Sequence, residues 1–253
     1  MRFVGLDLAW SSRNPSGIVV LAPGEDGAWI PTHWSAELKE DQELLGFIRE
    51  AVGMEPALVA IDAPLVVPNE TGIRPCDREL SQAYRKKEAG ALPVSRARLG
   101  PKVRGEALVA KLSELGFELR AHVEKGAAVR QVVEVFPHPA MVELFGLERT
   151  LKYKARKGRK LEFRLRELSR YVELLRSLKR WEPALAAGAL LPEALHGLKG
   201  KALKALEDLL DACFCAYIGL WLWHWGPAGY RLFGGEKEGF ILVPVRPKSK
   251  DYF

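Results

Sequence analysis

Asp7 lies in RFVGLDLA, a run that is otherwise apolar or glycine after Arg2. A carboxylate there is costly to bury unless a cation or hydrogen bonds compensate it. Four more acids raise the same question. Asp62 closes the apolar run ALVAID, Glu134 interrupts VRQVVEVF, and Asp208 and Asp211 stand three apart at the head of DLLDACFCAYIGLW. That spacing puts both on one face of a helix. Carboxylates gathered at one point are what Mg²⁺ or Mn²⁺ takes: hard oxygen ligands, with positions left for water and substrate phosphate. Two such ions about 4 Å apart activate a water and stabilise the leaving oxygen in phosphodiester hydrolysis. Without a cation the same acids repel one another.

Each acid also has a plainer use. Asp7 can accept turn hydrogen bonds, and Asp62 precedes Ala-Pro and can belong to a turn. Glu134 can pair with a basic residue, and Asp208 can favour the N-terminal side of a helix. Asp211 is harder to place that way, because its neighbours Ala212, Phe214 and Cys215 are apolar or small. The joint arrangement says more than any single acid.

The elements that must position these acids follow from periodicity and turn signals. Residues 1–36 read as three strands separated by SSRNPSG and PGEDG, spaced closely enough for an antiparallel meander. Residues 40–52 place Leu44, Leu45, Phe47, Ile48 and Val52 on one helical face. ALVAID (57–62) then reads as a buried strand, paired parallel to the first through a crossover. Residues 66–130 read as a mostly helical, basic insertion, with a helix near 105–122. A strand is expected over 129–136 and helices near 139–146, 160–181 and 183–190. A long, nearly all-round apolar helix is expected over 203–225, then two short strands, YRLFG and GFILVPV.

This order matches the ribonuclease H-like fold: an α/β mixed sheet of three antiparallel strands followed by parallel ones, flanked by helices. The expectation is one such domain over residues 1–253. In that fold the first and fourth strands are neighbours, so Asp7, Asp62 and a late-helix acid can converge on one point.

Charge is uneven. Lys152–Arg180 holds 12 Lys or Arg against three Glu, and Arg74–Arg104 holds nine against three acids, within a net charge of +6. Two basic blocks on an acidic body suit a polyanion, or else form solvated faces. Arg74 and Arg78, four apart, and Lys154, Arg156, Lys157 and Arg159 are the candidate phosphate contacts. In RPCDREL the alternative is an internal pairing of Arg74 or Arg78 with Asp77. His138, after EVFP, is a candidate for proton transfer or for packing. No apolar run reaches the roughly 20 residues that span a bilayer. Cys76, Cys213 and Cys215 form neither a disulfide framework nor a paired CxxC site, and no signal-peptide pattern opens the chain. A reduced, cytoplasmic protein without membrane attachment is expected.

The stretches GLDLAW (5–10), IDAPLVVP (61–68), RPCDREL (74–80), EVFPHP (134–139), KYKARKG (152–158) and DLLDA (208–212) resemble domain-of-unknown-function family 429, described as predicted ribonuclease H-like nucleases. DLLDA is also similar to the DxxDA helix of Holliday-junction resolvases. The resemblance implies metal-ligand roles for Asp7, Asp62, Asp208 and Asp211. The resolvases carry Glu on the fourth strand, one methylene longer than Asp62. The leading expectation is a Mg²⁺- or Mn²⁺-dependent nuclease acting on DNA or RNA. Its rivals are a nucleic-acid-binding or assembly module without catalysis, and a phosphoryl-transfer enzyme of the actin-like ATPase type. For the last, GLDLAWSS resembles the first phosphate loop, but no second Gly-rich loop follows.

Overall fold

A computed structural model describes residues 1–247. The chain opens with β1 (Arg2–Asp7), β2 (Ser16–Pro23) and β3 (Trp29–Leu38), followed by α1 (Asp41–Val52) and β4 (Ala57–Asp62). The insertion holds α2 (Pro75–Tyr84), α3 (Arg96–Leu99), α4 (Arg104–Glu114) and the two-residue β5 (Glu118–Leu119). Then come β6 (Arg130–Glu134), α5 (Pro137–Phe145), α6 (Leu161–Ser177), α7 (Gly200–Trp225), β7 (Tyr230–Gly235) and β8 (Gly239–Pro244).

The main sheet has the order β3-β2-β1-β4-β6-β5. The first three strands are antiparallel, and β1, β4, β6 and β5 run parallel. This is the ribonuclease H-like mixed sheet expected from the order of elements. β1 and β4 are central and apolar on both faces, as parallel strands covered on both sides must be. Alternate residues feed two core layers. Val4, Leu6, Val59 and Ile61 pack with Leu44 and Ile48 of α1 and Leu108 and Leu112 of α4. Phe3, Leu58 and Ala60 pack with α7 on the other face, where α5 and α6 also lie. α7 is buried on nearly every side from Leu210 to Leu222. Each large side chain buried there contributes about 1.5–3 kcal/mol, so α7 is fixed in depth and rotation by the core.

Two expectations are corrected. The helix expected over 105–122 ends at Glu114, where Leu115 and Gly116 turn back on Leu112 and Ser113. The chain then adds β5 to the sheet edge. No helix forms over 183–190: Ala184 O accepts from Trp29 N and Ala186 N donates to Trp29 O, so the segment lies along the start of β3. Among the described residues no helix is long and apolar enough to cross a membrane.

Candidate active site

Asp7 and Asp62 end β1 and β4 and are register partners across that parallel pair. Register partners point to the same face. Since Phe3 and Leu58 face α7, period two turns Asp7 and Asp62 toward α7 as well. The helix arrives unusually close. A Cβ on Gly5 would stand 1.9 Å from Ala212 O, and one on Gly17, the register partner of Asp7 on β2, would stand 2.2 Å from Asp208 O. Only glycine lets a helix backbone lie directly on the strands here. The two glycines therefore set the helix acids beside the strand acids.

Asp208 and Asp211 are both buried. Between them and Asp7 sits the ammonium of Lys154. It is 3.3 Å from Asp7 Oδ2 and 3.8 Å from Asp208 Oδ1, and it pairs directly with Asp211 Oδ2. Tyr153 donates its hydroxyl to Asp211 Oδ1 at 2.6 Å. Lys204, one turn before Asp208, pairs with Asp208 Oδ1. The other oxygen, Asp208 Oδ2, is buried with no partner among the described residues.

The loop that supplies Lys154 is itself held in place. Tyr153 stacks on Tyr171 of α6 with ring centroids 5.1 Å apart. Arg164 donates to Tyr153 O at 2.9 Å, and Glu167 accepts from Lys152 N at 2.9 Å. Arg159 donates to Lys154 O at 2.5 Å.

The charges do not balance. Four carboxylates, Asp7, Asp62, Asp208 and Asp211, face two ammonium groups, Lys154 and Lys204, a formal shortage of two positive charges. The consequences fall on protonation. Burial first, and the Asp7 charge second, push the Asp62 carboxyl well above the usual range. The same two causes push Asp208 up to about 7. Burial opposes the Lys154 charge, but Asp211 and then Asp7 overcome it and hold the ammonium firmly protonated.

Carboxylate oxygens are the hard donors that Mg²⁺ and Mn²⁺ prefer, and Asp208 Oδ2 is a spare ligand atom among them. As placed, no three His, Cys, Asp or Glu side chains among the described residues are arranged to hold a metal ion. The point where Asp7, Asp208 and Asp211 meet is filled by Lys154 Nζ. By its chemistry the donor set is one that a hard divalent cation takes, and in this arrangement Lys154 Nζ occupies the point between the acids.

Other expected site residues lie elsewhere. Glu134 follows Val132, which packs in the α1–α4 layer, so its side chain leaves the Asp7–Asp62 face. It takes the alternative considered for it, an ion pair with Arg74 at 2.7 Å. Arg74 is buried and also binds Asp77 at 2.8 Å, so it is not a surface phosphate contact. Arg78, one turn on, is exposed. Arg156 and Lys157 are exposed on the loop carrying Lys154, whereas Arg159 is spent partly on that loop's backbone. Lys154 was expected on a phosphate and instead lies inside the cluster. His138 contacts Thr150 Oγ1 through Nδ1 at 3.0 Å. Burial, aided by the Lys154 charge, lowers its pKa to about 4, so it is neutral. Sequence reading missed Tyr153, Lys204 and the two glycines. Gly5 and Gly17 left a signal, two glycines in strands flanking one acid.

Residues 5–229 match the family described as "Protein of unknown function (DUF429)". No curated protein and no solved structure matches the chain.

Proposed function

The chain belongs to that family, and from the geometry of its carboxylate cluster we propose a divalent-metal-dependent nuclease that hydrolyses phosphodiester bonds of nucleic acid. One observation carries the reading: four acids brought together by two strand ends and a buried helix, with two positive charges too few. Asp7, Asp62, Asp208 and Asp211 would hold Mg²⁺ or Mn²⁺. The metal would supply an activated water and charge stabilisation at the leaving oxygen. Tyr153 fixes the rotamer of Asp211 by its hydrogen bond. Lys154 would offset part of the cluster's negative charge while no metal is bound and, once displaced, would lie within reach of a substrate phosphate. Exposed Arg156 and Lys157 beside it are suited to phosphate contacts that do not read sequence. The three cysteines are unpaired and buried, which supports a reducing, cytoplasmic setting.

A second reading has one observation in its favour. Lys154 already pairs with three of the four acids, which suits a nucleic-acid-binding module whose acids are structural. Incubating a mixed DNA and RNA panel with Mg²⁺ or Mn²⁺, beside Asp211→Asn, separates the two. The nuclease reading expects metal-dependent cleavage that the variant loses. Binding without cleavage under every metal condition selects the second reading.

A further inference from the structure

Next to Asp62 a cavity of about 100 Å³ opens, walled by Trp10, Leu92, Val94 and Phe136 and floored by Arg74, Asp77 and Glu134. Two large apolar side chains on its wall, Trp10 and Leu92, are 56% and 68% exposed. Asp62 of the carboxylate cluster lines the same cavity as Trp10, so this apolar surface borders the cluster. Exposed apolar side chains gathered around a concavity mark a binding site more often than a folding need.

The floor limits what can enter. Arg74 has five N–H donors, and all five are used. Nε and Nη2 donate to Asp77 at 3.0 and 2.8 Å, Nη1 to Val66 O and Glu134 Oε2 at 3.1 Å each, and Nη2 to Glu134 Oε1 at 2.7 Å. No guanidinium donor remains for a ligand. Glu134 Oε2 also accepts from Leu65 N at 2.8 Å, which leaves Glu134 Oε1 and Asp77 Oδ2 with one partner each, and one cation against two anions leaves the floor formally negative. The cavity thus repels phosphate, accepts hydrogen bonds and offers apolar walls. A free amine would suit the floor but leave Trp10 and Leu92 unused. A planar ring with a donating amino edge uses both.

Resting on the nuclease reading, we propose that this cavity takes an unpaired nucleobase bearing an exocyclic amino group, with the adjoining phosphate at the carboxylate cluster. Adenine, cytosine and guanine carry that donor, whereas thymine and uracil do not. A base stacked and paired within a duplex cannot enter, so the substrate class is single-stranded or locally unpaired nucleic acid. Trp10 supplies the stacking surface.

The test is fluorescence anisotropy with phosphorothioate-linked hexanucleotides in Mn²⁺, using dC, dT and fully abasic strands. The expected result is binding of the dC strand about tenfold tighter than the abasic strand, with dT between them. Trp10→Ala, at an exposed position, should lose about tenfold on dC and nothing on the abasic strand, while Trp10→Phe keeps most of the affinity. If Trp10→Ala leaves dC binding unchanged, or weakens dC and abasic strands equally, the base pocket is overturned while the nuclease reading stands. If wild type binds none of the strands yet cleaves duplex, the pocket alone fails. If it neither binds nor cleaves any nucleic acid, both fail.

Discussion

Two groups of buried and half-buried acids lie at the same end of the sheet, and they are treated differently. Glu134 ends β6, beside β4, and with Asp77 it encloses Arg74. There every guanidinium donor is paired. Around Asp7 and Asp62 the acids outnumber their cations by two among the described residues, and Asp208 Oδ2 has no partner there. Buried charges that are fully hydrogen-bonded fix a structure; buried charges left short of a counter-charge mark where something else binds. The Arg74 group lacks one counter-charge and spends every guanidinium donor, whereas the Asp7–Asp62 group lacks two and leaves a carboxylate oxygen unpartnered, which makes the second the stronger candidate for a bound cation.

The largest expected effect falls on the Arg74 group. Arg74→Met strands two buried carboxylates and should cost about 3–5 kcal/mol of stability. Urea denaturation measures this, and divalent metal should not restore it. Lys154→Gln also removes a cation from buried acids. There Mn²⁺ should restore the lost stability and bind tighter than to wild type, because no ammonium competes. Similar metal responses in the two variants would erase the distinction between the regions.

Within the unsatisfied group, Asp211→Asn should abolish metal-dependent cleavage. Asp208→Asn should slow it and leave some, since Lys204 then loses its partner but Asp7, Asp62 and Asp211 remain. Full activity in Asp211→Asn, measured on a substrate that wild type cuts, would return the helix acids to a structural role.

A smaller effect is read in pH. Asp208 is raised to about 7 from 3.8, so between these values the folded protein keeps a proton that the unfolded chain has released. Folding then binds more protons, and the metal-free contribution to stability falls as pH rises through that window. Asp208→Asn should flatten this part of the Tm profile, and saturating Mn²⁺ should flatten it in wild type. The smallest effect belongs to the surface. Arg156→Gln with Lys157→Gln should weaken nucleic-acid binding and reduce its salt slope with little change in folding.

The sheet was legible because its signals are local. Apolar runs closed by turn residues predict β1 to β4, and the apolar helix predicts α7 to within three residues of its start. The convergence of Asp7 and Asp62 followed from strand order. The segment over 183–190 misled because its Ala and Leu content suits a helix, whereas tertiary pairing with Trp29 decides its shape. Lys154 was read as one of many surface cations, since nothing in KYKARKG says which lysine turns inward. That choice is made by Tyr153 on Tyr171 and by Arg164 on the loop backbone, contacts between segments distant from one another. Glu134 and Arg74 resisted for the same reason: an acid in a strand looks alike whether its partner is a metal or an arginine 60 residues away.

Titration of Mn²⁺ into the metal-free protein, followed by calorimetry for wild type and Asp7→Asn, tests the central claim most directly. Metal held by the cluster binds wild type and stabilises it by about 2.7 kcal/mol at a hundredfold excess over Kd. Asp7→Asn should lose that binding while remaining folded without metal. Absence of Mn²⁺ binding in wild type, or equal binding in Asp7→Asn, would contradict it.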